Sequence, residues 1–254
     1  MTTDDHDNSR NSLLGQLEDV QLHVDGTSYL VGADLTDPGA MDWHARATLH
    51  ALPDNDMPGA DPVLAWKDAA GIALSSTKIS DHDGLELTIL RANGITIDLE
   101  QVEDVFDALD SRGQDEADFL PLFSGNRDGF GFTELAAEIE NSLEPGGNQV
   151  VILDRVRLAP AWRGFGGIGR LLISRILRWI CDDPRLVAVQ PFPIDLDSDQ
   201  RQNDEIFTPA LQQVRRTWSS LGFEPFTDNI WIMDPRKPSH HNAVAHLNEQ
   251  LGLL

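Results

Sequence analysis

Apolar and polar residues alternate in short runs through the first third of the chain. "VQLHV" (20–24), "SYLVGADL" (28–35), "WHARATLHAL" (43–52), "GIALSSTKI" (71–79) and "LELTILR" (85–91) read as strands by this period of two. "PDNDMPGADP" (53–62) reads as a loop from its Pro, Gly, Asn and Asp content. The period then lengthens. Leu99, Val102, Val105, Phe106 and Leu109 recur three or four apart, which predicts a helix over 98–109, with Asp98 and Gln101 as its capping box. "EADFLPLF" (116–123) predicts a short helix broken by Pro121. "TELAAEIENSL" (133–143) predicts another, ended by Pro145-Gly146-Gly147. "NQVVILDRVRLAP" (148–160) is a buried strand, "GGIGRLLISRILRWI" (166–180) a helix and "RLVAVQPF" (185–192) a further strand. "PIDLDSDQRQNDE" (193–205) reads as an acidic loop. "TPALQQVRRTWSSLGF" (208–223) is a helix with Thr208 as N-cap and Pro209 at its first position, ending at Gly222. "NIWIMD" (229–234) is a last strand, and the tail from Pro235 has room for a short terminal helix.

Composition narrows the class. The chain has 254 residues and 41% hydrophobic content, enough for an ordinary core. No apolar run approaches the roughly 18 residues of a membrane span. Met1–Arg10 is polar and acidic with no apolar stretch, unlike a secretory signal. Cys181 is the only cysteine, which excludes an internal disulfide and points to a reducing cytoplasm. The net charge of -23 argues against nucleic acid and anionic membranes as partners. The charge is uneven. Residues 151–180 hold Arg155, Arg157, Arg163, Arg170, Arg175 and Arg178 against Asp154 alone. A cationic island in an acidic chain suggests a local anion site. The plainer alternative is a set of arginines paired with carboxylates nearby.

The island surrounds "RGFGGIGR" (163–170), in which Gly164, Gly166 and Gly169 have the spacing of a dinucleotide-binding turn. A nicotinamide turn needs its strand to run straight into the first glycine, and an acidic residue about 20 positions on. Here Pro160-Ala161-Trp162-Arg163 intervenes. Asp182 and Asp183 come too early and Asp195 too late. A glycine turn made only for close helix–strand packing is a further alternative. An anion site is the third. The N-terminus of a helix presents unpaired N–H groups, glycines allow close approach, and Arg163 and Arg170 supply charge.

Strand, then Leu158-Ala159-Pro160-Ala161-Trp162-Arg163-Gly164-Phe165-Gly166, then helix, resembles the acyl-CoA loop of the GNAT superfamily of N-acetyltransferases. Gly167 is additional to the family's usual continuation, which Ile168-Gly169-Arg170 then resumes. Leu221-Gly222-Phe223 is similar to the end of the family's last helix. There the family's Asn position is Leu211, its Ala position Val214, and its thiolate-protonating Tyr position Trp218. The resemblance covers about residues 148–234. It implies an α/β (α+β) fold, with a mixed, largely antiparallel central sheet flanked by helices and an elaborated N-terminal half. The corresponding division is a disordered tail at 1–14, a strand-rich then helical part at 15–147, an acyl-CoA-binding core at 148–234 and a tail at 235–254.

The resemblance further implies direct transfer of an acyl group from acyl-CoA, most simply acetyl-CoA, to an amine. Val156, Arg157 and Leu158 would hold the pantetheine arm. The pyrophosphate would lie over Arg163, Gly164, Phe165, Gly166, Gly167, Ile168, Gly169 and Arg170. Asp154 on the strand and Asp195 beyond the next are candidate bases, and Ser219 beside Trp218 could position a water. A salt bridge to Arg155 or Arg157 is the simpler role for Asp154, and a helix hydroxyl the simpler role for Ser219. No metal is implied. Asp195, Asp197 and Asp199 begin like a calcium loop, but Gln200 and Ile206 stand where Gly and Glu are required. His240-His241 has no partners at metal spacing. "NRDGFGF" (126–132) reads as a loop over a site. The expected partner is a small-molecule or peptide amine, with a homodimer left open. A catalytically degenerate acyl-CoA-binding or interaction protein is the alternative, because Tyr29 is the only tyrosine and an indole N–H is no acid.

Overall fold

The strands owe their places to alternation. In Ala40–Ala51 (β2) Trp43, Ala45, Ala47 and Leu49 are buried while His44 and Arg46 are exposed, so one face is apolar. The computed structural model describes residues 17, 20–27, 39–51, 85–125, 132–164, 166–180 and 184–253. The expected strands at 28–35 and 71–79, the loop at 53–62 and most of the loop at 126–132 lie outside them.

The other strands are Val20–Thr27 (β1), Leu85–Asp98 (β3), Phe123–Gly125 (β4), Phe132–Leu135 (β5), Gln149–Leu158 (β6), Pro184–Val189 (β7), Glu224–Pro225 (β8) and Trp231–Met233 (β9). Seven form a mixed sheet in the order β1-β2-β3-β6-β7-β9-β8, and β4 and β5 pair as a small hairpin. Within the large sheet only β6 and β7 run parallel. Helices flank both faces. Ile168–Ile180 (α4) connects the parallel pair and buries Leu171, Leu172, Ile173, Ile176 and Leu177. It shares one apolar cluster with Ala45, Ala47, Leu90, Val151, Leu153 and Val187 of the sheet, Trp218 of Asp204–Ser219 (α6), Leu221 just after it, and Leu247 of Pro238–Gln250 (α7). A second cluster lies on the opposite face. It joins Ile95, Ile97, Val150, Ile152, Leu186 and Ala188 to Val105–Asp110 (α1), Phe119, Leu122 and Ala137–Glu140 (α3). Strands β6 and β7 are therefore covered on both sides, which explains their continuous apolar runs.

Several expected boundaries move. The helix predicted from Asp98 begins at Val105 with Asp104 as N-cap. Asp98 instead ends β3, and its carboxylate accepts from Glu100 N and Gln101 Nε2 (3.0 and 2.8 Å), closing a turn. Leu99 N donates to Asn148 O at 2.8 Å, which ties this turn to the residue before β6. Over 116–123 the chain forms Gln114–Ala117 (α2), a separate 3-10 turn Leu120–Leu122, and then β4. The predicted helix 133–143 is split, because Leu135 pairs with Phe123 in the hairpin and only 137–140 is helical. The acidic loop contains Ser198–Gln202 (α5), with an Asp197–Gln200 capping box. Helix α6 starts at Asp204, not Pro209. Asn203 is its N-cap, and Pro209 lies inside it, lacking only one N–H. The tail holds the full helix α7. Among the described residues no helix is long and apolar enough to cross a membrane.

Candidate functional site

Strand β6 has a neighbour on both sides only along its first half. Its pairing with β7 runs from Gln149 to Leu153 and ends at Leu153–Val189, whereas its pairing with β3 continues to Leu158. At the point of parting the ladder with β3 skips Asp154: Asn93 faces Arg155 and Gly94 faces Leu153. A bulge of this kind bends a strand and re-aims a side chain. Gly94 is required opposite it, since a Cβ there would lie 1.9 Å from Ile152 O. Beyond the bulge, Asp154 to Leu158 have no β7 ladder.

The parting opens a cavity of about 1020 Å³. Its described lining includes Arg91 and Asn93 of β3, Asp154, Arg155 and Arg157 of β6, Arg163 of the loop, and Gln190, Phe192 and Asp195 after β7. Five arginines and four aspartates line it, so the cavity carries a slight positive excess in a chain of net charge -23.

Asp154 has a side chain 15% exposed; its Oδ2 accepts from Asn93 Nδ2 at 2.6 Å and lies 3.6 Å from Arg155 Nε. The pairing with Arg155 expected from sequence is present, but Asn93 is the closer partner. Arg155 also reaches Asp115 at 2.8 Å, and this hydrogen bond, with the Asp154 charge behind it, raises its pKa. Asp195 lies across the cavity with its oxygens at 3.5 Å from Arg157 Nε and 3.0 Å from Arg163 Nη2. Arg163 folds back so that Nε and Nη2 donate to Leu158 O at 3.0 and 2.8 Å. The sequence signal for this bridge was weak, because 32 positions separate Arg163 from Asp195.

Leu158 does not run into the first glycine. The 3-10 turn Pro160–Trp162 intervenes, with Trp162 buried. The loop then turns on glycines in the left-handed region: Gly164 at φ 78°, Gly166 at 66° and Gly167 at 104°. Phe165 lies outside the described residues. At Gly167 a Cβ would fall 2.5 Å from Leu247 Cδ2 and 2.6 Å from Arg170 Nη2. Ile168 opens α4 and is buried, Gly169 packs on Leu158, and Arg170 donates to Ser220 Oγ at 2.7 Å.

No family model, curated protein or solved structure matches the chain.

The parted strands thus bring together Asp154, Asp195, Arg157, Leu158 and Arg163, with Val156 between them on the same strand. Gly164 to Arg170 follow at the head of α4. Ser219 stands apart. It is exposed at the end of α6 and does not line the cavity. Trp218 is 8% exposed and meets Phe223 edge-on at 5.1 Å between ring centres, inside the apolar cluster. Sequence reasoning missed Asn93 and Arg91, which are ordinary strand residues until the register places them beside Asp154 and Arg157. Among the described residues no group of three or more His, Cys, Asp or Glu converges to hold a metal.

Proposed function

We propose that the chain is an acyl-CoA-dependent N-acyltransferase, with acetyl-CoA as donor and an amine as acceptor. The parting of β6 from β7 beside a glycine loop carries this reading. The residues fit the donor on two observations. Val156 to Leu158 leave one strand edge without a ladder, and an extended amide-bearing arm can pair there as a strand would. The left-handed glycines and the first turn of α4 supply backbone N–H groups and a partial positive charge for a pyrophosphate. Arg163, Gly164, Phe165, Gly166, Gly167, Ile168, Gly169 and Arg170 would surround it.

The bound acyl-CoA supplies an activated thioester carbonyl. The amine nitrogen forms the new C–N bond as the C–S bond breaks, and sulfur leaves with a proton as the free thiol. Asp154, held by Asn93 at the bulge, takes the proton of the acceptor ammonium directly or through water. Backbone N–H groups near Val156 stabilise the carbonyl oxygen. Asp195 is the other candidate base in the cavity, and its contacts with Arg157 and Arg163 suit it to positioning them. Ser219, outside the cavity at the end of α6, takes no part in these steps.

A second reading has one observation in its favour. Trp218 is packed in the core, so the family's usual sulfur acid has no counterpart there. On this reading the chain binds acyl-CoA without turning it over. Calorimetry with acetyl-CoA, CoA and NADH, followed by thiol release over an amine panel, separates the two. CoA binding with turnover is expected. Binding without thiol release on any amine selects the second reading, and no CoA binding at tens of micromolar rejects both. Arg163→Ala should weaken CoA binding at unchanged fold, and unchanged affinity would place the ligand elsewhere.

A further inference from the structure

The pairing registers align one rung of residues across four neighbouring strands. His23 of β1 faces Arg46 of β2, Arg46 faces Arg91 of β3, and Arg91 faces Arg157 of β6. Directly paired residues point to the same side of a sheet with Cβ atoms about 5 Å apart. Arg46, Arg91 and Arg157 are all exposed on that side, while their chain neighbours Ala45, Ala47 and Ala92 are buried on the other. Like charges in direct opposition are unfavourable in a sheet. Three successive arginines, Arg157 among them paired with Asp195, concentrate positive charge on this face of a chain of net charge -23.

The rung lies over a hollow. A cavity of about 260 Å³, lined by Arg46 and Arg91 together with Asp25 and His44, shares Thr88, Arg91 and Asn93 with the large cavity. The next rung on the same face runs Asp25, His44, Asn93 and Arg155, and Asn93 carries Asp154 at its amide. Arg91 and Asn93 are two residues apart on one strand, about 7 Å. A cationic rung and a carboxylate thus stand within the reach of one small molecule. Guanidinium forks bind carboxylates in two-point fashion.

Resting on the acyltransferase reading, we propose that the acceptor is a zwitterion of the amino-acid class. Its carboxylate is held by Arg46 and Arg91 of the rung, and its ammonium faces Asp154.

Paired probes that differ only in the carboxylate test this: phenylalanine with phenethylamine, histidine with histamine, lysine with cadaverine. Thiol release from acetyl-CoA should favour the carboxylate-bearing member of the best pair at least tenfold in kcat/KM. Arg46→Gln should raise KM for that amino acid about tenfold, leave the amine partner and the KM for acetyl-CoA unchanged, and leave Tm at low salt equal or higher. Equal use of both members, or an unchanged KM in Arg46→Gln, overturns the proposal. Calorimetric titration of the same amino acid, with and without CoA, keeps the two ideas apart. Amino-acid binding that is lost in Arg46→Gln, in a protein that binds no CoA, rejects the acyltransferase reading and retains the anion site. CoA binding with no discrimination between pair members rejects the anion site alone.

Discussion

Asp154 shows how one residue acquires a role from its surroundings. The sequence gives a carboxylate beside two arginines, for which a surface ion pair is a sufficient account. The contact with Arg155 is there, and the bulge also turns the carboxylate inward onto Asn93 at the point where β6 leaves β7. Asp154→Asn keeps the shape and removes the proposed base. Thiol release should fall about 100-fold or more, a typical loss for a general base, with CoA affinity unchanged by calorimetry. Retained turnover would assign the proton to another group. Gly167 is a second case. Its φ of 104° and the 2.5 Å approach of Leu247 both oppose a side chain. Gly167→Ala should cost about 1–3 kcal/mol in denaturant unfolding, the usual magnitude for a residue forced into a sparsely populated conformation.

Among the elements, α4 and β6 were legible because their signals are local. Six arginines and a run of apolar residues mark the strand–loop–helix unit without help from the rest of the chain. The starts of α1 and α6 were not legible. Asp98 and Thr208-Pro209 are good helix openings on propensity alone, yet Asp98 is claimed by a turn tied to Asn148 and α6 is capped earlier by Asn203. Helix α7 is longer than the short terminal helix the sequence suggested, and its anchor is remote. His240 Nδ1 meets Leu221 O at 3.0 Å, beside Gly222. Burial lowers the His240 pKa, the Leu221 carbonyl opposes this, and His241 adds to the lowering. The unfolded imidazole takes its proton near pH 6.5, above the folded value. The docked helix therefore loses stability as pH falls through that value. His240→Gln should reduce the difference in denaturant midpoint between pH 8 and pH 5. An unchanged difference would mean that α7 does not depend on a neutral imidazole.

Across the whole molecule, charge is organised as local latches. Asp234, with a fully buried side chain, binds Arg236 Nε at 3.0 Å and Glu144 N at 2.9 Å. Arg236 in turn donates to the carbonyls of Glu144, Pro145 and Gly146, fastening the loop before β6 to the segment after β9. Burial alone would raise the Asp234 pKa, but the Arg236 side chain and the N–H groups of Glu144 and Arg236 hold it below the ordinary carboxylate value. The stabilisation is complete above the unfolded value of about 3.9 and is lost as pH falls through the lower folded value. Asp234→Asn removes the charge opposite a partly exposed Arg236, which keeps its carbonyl partners, and should cost about 2 kcal/mol at pH 7, the usual range for a hydrogen bond to a charged group, with a flatter acid limb below about pH 4. A wild-type acid limb in that variant would show that the latch contributes nothing.

The sequence by itself determined the elements whose information is short-range: the alternating strands among the described residues, the strand–glycine loop–helix unit, and a local excess of arginine in an acidic chain. Tertiary structure decided that Arg157 of that excess lines up with Arg91 and Arg46 of remote strands, where β6 and β7 part, and which carboxylate lies at the parting. Those outcomes depend on register and on a one-residue bulge. A shift of a single position along a strand sends every side chain to the opposite face, and no local pattern encodes it.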